Sequence, residues 1–338
     1  MKEGNVGKKV LVTGANGHVG YNLVKLLVER EYIVRASVRN KNDINLTKHL
    51  EELGVQIVQA DLMEIDTLEW AMEGMDGLFQ VAAVYKTWAK NPEKEIVEPS
   101  VIGGINALKA AKRAGIKKVI FTSSTAAVGK EAENGGALTE EDWNDESEQP
   151  YAYAKTEAEK RAWKYANEND LELVVINPTA VIGPDFYRHT PTTMMFRNLM
   201  SGKFPLIPPV IFGYVDVRDV AMGHLLAYEN KEAKGRHILS TDCLSAKKLM
   251  SIIKKIDPAI SVPKMQAPLW LMKMAAYIEV SRSWFGHKPM FTPSIVREYM
   301  GKKTNYSSKK AREELGWKPM ELEKSVKDTL EWIKKMEQ

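Results

Sequence analysis

The chain predicts an α/β fold with a doubly wound parallel sheet and a smaller, interleaved C-terminal lobe, and three observations carry that expectation. Short runs rich in β-branched residues alternate with amphipathic helical stretches through the first half, as βαβ units require. Three glycines spaced by three residues lie between the first β-run and the first helix, where a Rossmann-type sheet places its phosphate loop. After Pro178 the character changes: prolines cluster at 205, 208 and 209, and Met and aromatic side chains accumulate.

Residues 9–13 read as the first strand, and 18–30 as a helix with Val19, Leu23, Leu26 and Leu27 on one face. Strands follow at 32–38, 55–59, 77–81, 117–122 and 173–176, with helices at 66–72, 99–114 and 151–169 between them. Segments 210–215 and 236–239, on either side of a helix over 217–228, read as chain returning to the sheet. The expected division is therefore a dinucleotide-binding domain over 1–178 with returning segments at about 210–240. A substrate lobe would be built from 179–209 and 241–338. Leu322, Val326, Leu330 and Ile333 form a helical stripe that would cap that lobe. The apolar stretch 269–280 reads as a buried helix or a lid, with contact to a membrane surface as a further reading.

Composition excludes several classes. The 338 residues carry 48 Lys and Arg against 44 Asp and Glu, a net charge of +4 with 44% hydrophobic residues, which is a globular and not a disordered balance. Cys243 is the sole cysteine, so no internal disulfide exists and a reducing, cytoplasmic setting is expected. No apolar run approaches the roughly 18 residues that span a bilayer, and from its short, polar start no secretion signal is expected. The six histidines, His287 among them, show no metal-ligand spacing, so no metal is expected. Basic pairs such as Lys302-Lys303 and Lys309-Lys310 lack interleaved aromatics and read as solvated surface, with no nucleic-acid partner.

The glycine triplet is Thr13-Gly14-Ala15-Asn16-Gly17-His18-Val19-Gly20. A tight turn needs a residue tolerant of positive φ, a backbone approaching a pyrophosphate leaves no room for Cβ, and the last glycine lets helix and strand pack closely. Gly14, Asn16, Gly17, His18, Val19 and Gly20 are the candidate cofactor contacts, and a strand-to-helix turn without ligand is the plain alternative. The end of the second strand, Ser37-Val38-Arg39-Asn40, carries no acid to hold ribose hydroxyls. Arg39, with Lys41 or Arg35, would instead attract a 2′-phosphate, which points to NADPH; a solvated surface arginine is the competing reading. Asp61-Leu62 falls where an adenine ring would lie, and Asp61 equally fits a helix cap.

Tyr-x-x-x-Lys places a phenol and an ammonium one helical turn apart. The cation would favour the phenolate of a group whose reference pKa is near 10, allowing proton exchange near neutrality. Four pairs have this spacing: Tyr21/Lys25, Tyr151/Lys155, Tyr299/Lys303 and Tyr306/Lys310. Tyr151/Lys155 opens a helix after the strand that ends in Ser123-Ser124, at the carboxyl edge where such sheets bind ligands. Tyr299 and Tyr306 lie in a lysine-rich segment that reads as a solvated face.

Residue by residue, Thr13 to Gly20, Asp61-Leu62, Ala82-Ala83, Asn106, Ser123-Ser124, Tyr151/Lys155, Asn177-Pro178, Val215 to Val220 and Tyr306 to Pro319 resemble the extended short-chain dehydrogenase/reductase family. That resemblance implies Tyr151 as general acid/base, Lys155 as ribose ligand and pKa-lowering cation, and Ser124 as the group orienting the substrate oxygen. It also implies cofactor contacts at Ala82, Ala83 and Pro178. Asn106 matches a proton-relay asparagine and equally fits a buried helix amide. Val34 to Arg39 and Phe121 to Ser124 look most like the dihydroflavonol reductase and cinnamoyl-CoA reductase branch, which uses NADPH. Flavonoid reductases of that branch commonly carry a polar residue where this chain has Gly129, which argues against a flavonoid substrate.

The expected activity is NADPH-dependent reduction of an apolar or aromatic ketone or aldehyde to its alcohol by a monomer or homodimer. Tyr85, Tyr187, Met195 and Tyr214 would join Ser124 around that small molecule. A sugar-nucleotide epimerase or dehydratase and a non-catalytic NADP-sensing protein are the rival readings. Against a dehydratase, Ser124 is followed by Thr125-Ala126 where an Asp-Glu pair would be expected.

Overall fold

The protein is described here by a computed structural model covering residues 7–86, 88–202, 205–283, 289 and 291–337. His287 and the polar residues 1–6 lie outside the described residues. In chain order the first half comprises β1 (Lys9–Thr13), α1 (His18–Glu29), β2 (Ile33–Val38), α2 (Ile44–Glu51), β3 (Gln56–Gln59), α3 (Ile65–Met72), β4 (Gly77–Gln80), α4 (Glu98–Arg113), β5 (Lys118–Thr122), α5 (Pro150–Glu168) and β6 (Glu172–Pro178). The second half comprises β7 (Ala180–Ile182), α6 (Pro191–Met200), β8 (Ile211–Asp216), α7 (Val217–Glu229), β9 (Gly235–Leu239), β10 (Asp242–Ser245), α8 (Ala246–Ile256), α9 (Leu269–Ser283), α10 (Pro293–Tyr299), α11 (Lys309–Glu314) and α12 (Leu322–Met336).

Seven parallel strands form the central sheet in the order β3-β2-β1-β4-β5-β6-β9. Strand order reverses between β1 and β4, the switch point beyond whose carboxyl ends such sheets bind ligands. Both faces are covered. Val10 and Val12 pack with Leu23, Leu27 and Leu225 on one side, while Leu11 joins Leu68, Leu78, Leu108 and Val119 on the other. Near-continuous apolar strands follow from burial on both faces.

Of the two segments expected to rejoin this sheet, only one does. β9 takes the edge beside β6, leaving β8 to pair with β7 in parallel and β10 antiparallel in a separate three-stranded sheet. Gly213 permits that placement, because a Cβ there would come within 2.5 Å of the Thr179 side chain. A third core lies under this small sheet, built from Ile182, Phe196, Tyr214, Leu249, Val326, Leu330 and Ile333. The α12 stripe thus packs inward. α9 does not behave as a buried helix: Ala276 is its one buried residue, and Trp270 and Tyr277 are 62% and 64% exposed. No helix among the described residues is long and apolar enough to cross a membrane.

Candidate functional site

The glycine loop is built around close backbone contacts. Gly14 has φ +61°, and a Cβ on it would lie 2.8 Å from Ala82 Cα; one on Gly20 would lie 2.2 Å from the Gly14 carbonyl oxygen. Gly17 N–H donates to that same carbonyl at 2.9 Å, closing the turn. The Thr13 hydroxyl donates to Gln80 Oε1 at 2.7 Å and accepts from the Val81 and Ala82 amides at 3.0 and 3.1 Å. It thereby ties the ends of β1 and β4 together across the switch point. α1 starts at Gly17 without a side-chain cap, so its first N–H groups are available to an anion. Asn16, Gly17 and Val19 keep partial exposure, while His18 and Gly20 are buried. His18 Nε2 lies 3.2 Å from the Pro184 carbonyl oxygen, and burial lowers its pKa to about 4.

Arg39 stands exposed at the end of β2, beside Lys41. Arg35 is committed elsewhere: its guanidinium donates to the Ala71 and Glu73 carbonyls at 2.8 and 3.0 Å, at the end of α3. Asp61 accepts from the Met63 amide at 2.9 Å within the turn that precedes α3; the N-cap of α3 is Glu64, so Asp61 is not the helix cap expected of it. Asn106 Nδ2 donates to the Leu62 carbonyl at 2.9 Å, which anchors the loop after β3 to α4. An uncapped helix start, a loop with no space for a Cβ at Gly14 or Gly20 and an exposed arginine at the end of β2 together suit a dinucleotide with a 2′-phosphate.

α5 begins with Gln149 accepting from the Ala152 amide at 2.7 Å and Pro150 in the first turn, both favourable at a helix start. That start puts Tyr151 in the first turn and Lys155 one turn later. The Ser124 hydroxyl lies beside the Tyr151 phenol, near enough to oppose the rise of its pKa, and accepts from the Ala126 amide at 3.1 Å. Lys155 is 7% exposed, with Nζ 3.5 Å from the Thr122 carbonyl oxygen and 6.0 Å from the Tyr151 ring centroid.

The expectation that the lysine lowers the tyrosine pKa is corrected. Burial pushes Tyr151 well above the usual phenol range, Tyr85 adds to the rise and Ser124 opposes it. Burial also pulls the Lys155 ammonium down to about 8, against the charge of Glu159. The phenol is therefore neutral across the physiological range, the form that can donate a proton.

The predicted substrate residues separate into three groups. Tyr85 lies over the site, its ring 5.2 Å from Tyr151 in an edge contact and its side chain half-exposed. Met195 is half-buried against the third core. Two expectations fail. Tyr187 turns to the glycine loop, donating to the Asn16 carbonyl at 2.6 Å and stacking on His49 at 4.0 Å. Tyr214 is 1% exposed between Phe196 and Phe212, a core side chain.

Tyr299 and Tyr306, read as solvated, are instead packed near the site. Tyr306 is buried and donates to the Gly129 carbonyl at 2.6 Å, and Tyr299 is close enough to Tyr151 and Tyr85 to feel both electrostatically. The flanking lysines masked them, although Tyr306 belongs to the terminal segment that carried the resemblance. A second network also escaped the sequence reading. Arg236 pairs with Glu159 at 2.6 Å, the other carboxylate oxygen accepts from Asn177 Nδ2 at 2.8 Å, and that amide reaches the Ser124 carbonyl at 3.3 Å. Among the described residues no cluster of three His, Cys, Asp or Glu is placed to hold a metal.

Comparison with known proteins agrees with this architecture. Residues 10–239 match the NAD dependent epimerase/dehydratase family. A cinnamoyl-CoA reductase of Medicago truncatula is 35% identical over 78% of this chain and 85% of its own length. A dihydroflavonol 4-reductase of Callistephus chinensis is 35% identical over 75% of this chain and 74% of its own. The crystal structure of Gre2 from Candida albicans in complex with NADPH superposes with a TM-score of 0.76 at 28% identity, covering 98% of this chain and all of that one. With its glycine loop, its Tyr151/Lys155 helix and the family match spanning the whole central sheet, the chain belongs to the NAD dependent epimerase/dehydratase family, in its extended short-chain dehydrogenase/reductase branch.

Proposed function

We propose that this chain is an NADPH-dependent carbonyl reductase that converts an apolar or aromatic ketone or aldehyde to its alcohol. The observation that carries the reading is the juxtaposition of Ser124 and Tyr151 at the carboxyl edge of β5, with Lys155 one turn beyond and the uncapped glycine loop at the same sheet edge. Reductases among the relatives, and the NADPH seated in the related Gre2 structure, support it.

The cofactor supplies a hydride to the carbonyl carbon when bound. The uncapped N–H groups of α1 would bind its pyrophosphate and Arg39 its 2′-phosphate. Pro178, Ala82 and Ala83 would line its path toward the site, and Lys155 would hold ribose hydroxyls. Ser124 orients the substrate oxygen by donating a hydrogen bond, and Tyr151, kept neutral by burial, passes its proton to that oxygen as charge develops there. The lobe built on β7, β8 and β10 with α6, α8 and α12 closes the substrate side.

The test is NADPH oxidation followed with aryl aldehydes, aryl ketones and diketones, with Tyr151→Phe beside the wild type. Loss of the proton donor should lower kcat by about 10²–10⁴-fold. Turnover that survives the substitution overturns the assignment.

A further inference from the structure

We infer that the outward face of α9 docks on an anionic lipid surface, so that the protein binds membranes peripherally; this goes beyond the reductase reading and does not depend on it. Trp270, Met274, Tyr277 and Ile278 are each more than half exposed and recur at helical spacing. At 3.6 residues per turn they share an arc of about 100°. Exposed Lys273 borders that arc on one edge and exposed Arg282 on the other. Soluble surfaces seldom leave such an apolar patch without an interaction to use it. An apolar stripe edged by cations is the arrangement of a helix lying in the plane of a bilayer interface, where Trp and Tyr sit at headgroup depth and cations meet lipid phosphates. The approach to the helix fixes its stance: the Ile207 amide donates to the Met265 carbonyl at 2.9 Å, and the Ala267 amide to the Ile207 carbonyl at 2.8 Å. Ala276, on the side away from the stripe, is buried.

Charge selects the partner. Lys273 and Lys264, which is exposed in the approach to α9, have no ion-pair partner among the described residues. The acids nearby are turned away or engaged. Glu279 lies opposite the stripe, its side chain 16% exposed and 3.5 Å from Arg282, and Glu298 accepts from Asn144 Nδ2 and Ser147 Oγ at 2.8 and 2.9 Å. Glu148 pairs with Arg297 in a contact exposed on both sides, a weak pair that an incoming anion can displace. Lys273 and Tyr277, on one edge of the stripe, join Pro293 and Arg297 of α10 around a cavity of about 160 Å³. Two cations and a phenol at the rim of an apolar face suit an anionic headgroup whose acyl chains lie against that face. A second copy of the chain suits it less, because a two-fold pairing would set cationic edge against cationic edge.

The probes are vesicles of phosphatidylcholine alone and of phosphatidylcholine mixed equally with phosphatidylglycerol. Flotation with each is measured for the full chain as wild type, as the double variant Trp270→Ser with Ile278→Ser, and as Lys273→Glu, with sedimentation velocity beside it and thermal unfolding as the fold control. All three substituted positions are exposed, so the fold should hold in both variants. The wild type should partition onto the mixed vesicles about tenfold or more better than onto phosphatidylcholine, and added salt should weaken that binding. The double variant loses apolar area and Lys273→Glu loses charge attraction, and each should bind the mixed vesicles about tenfold or more weakly with its unfolding midpoint unchanged. Failure of the wild type to float with the mixed vesicles, equal flotation with both kinds, or native flotation of both variants overturns the inference. A wild-type dimer that dissociates in the double variant also overturns it and assigns the face to a second copy. None of these readouts requires turnover, so failure of the reductase reading leaves the docking face standing and the reverse.

Discussion

The carboxylate of Glu159 and the guanidinium of Arg236 lie 2.6 Å apart with side chains 0% and 5% exposed. Arg236 adds bonds to the Glu140 and Asp142 carbonyls at 2.9 and 2.6 Å, and its guanidinium lies 3.8 Å from the centroid of the Trp143 ring. Glu159 sits one turn beyond Lys155 on α5 and holds Asn177 on its other side. One buried pair therefore joins β9, α5, β6 and the backbone at Ser124.

Removing half of that pair should be severe. Arg236→Met leaves a buried, unpaired carboxylate and is expected to cost about 3–5 kcal/mol of stability, measured by urea unfolding. Adding Glu159→Leu should recover part of the loss. A single-variant cost below about 1 kcal/mol would mean that the pair contributes little.

Acid should weaken the fold through its buried histidines. His224 is held neutral between the Val220 carbonyl oxygen at 2.8 Å and the Thr122 hydroxyl at 2.7 Å, and burial lowers it, like His18, to about 4. Both pKa values lie below the unfolded value near 6.5, so the unfolded chain binds more protons between those limits. Their contribution is fully present above pH 6.5 and is lost as pH falls toward 4, by up to about 1.4 kcal/mol per pH unit for each. Thermal midpoints across this window should fall with pH, and less steeply in His224→Gln; an unchanged slope in that variant would remove His224 from the account.

Cofactor choice should follow Arg39. Reversing its charge with Arg39→Asp should lower kcat/KM for NADPH relative to NADH by about 10²-fold, since a charge-assisted pair becomes a repulsion. Initial rates with both cofactors on one carbonyl substrate decide this. An unchanged ratio would return Arg39 to a solvated surface role.

Gly20→Ala should damage the phosphate seat directly. Its Cβ would fall 2.2 Å from the Gly14 carbonyl oxygen, a backbone atom that cannot swing aside as a side-chain end can. Overpacking of this kind costs about 1–3 kcal/mol, and NADPH affinity by fluorescence titration should drop by about tenfold or more. Native affinity in the variant would show that the loop can relax.

What the sequence disclosed was what local pattern can hold. The glycine spacing, the one-turn offset of Tyr151 and Lys155, and the Leu322-Val326-Leu330-Ile333 stripe are all written within a few turns of chain, and the structure sets each in the element expected. Glu159 and Arg236 were silent because they meet across 77 residues, and each alone looks like a surface charge. Tyr299 and Tyr306 were hidden by Lys302, Lys303, Lys309 and Lys310, whose side chains run outward while the rings run in. Tyr214 looked like pocket material because an aromatic on a short strand gives no sign of which side its own lobe will bury. The sign of the Tyr151 shift was missed because spacing reports the nearby cation and not the depth of burial that outweighs it.

The Thr13 hydroxyl engages Gln80, Val81 and Ala82 at once, and Gly14 sits too close to Ala82 for any side chain. The seat at the switch point is thus spliced from two strands already bonded in the free protein. A dinucleotide arriving there finds a surface whose conformational entropy was surrendered during folding, so little ordering remains to be charged against its affinity.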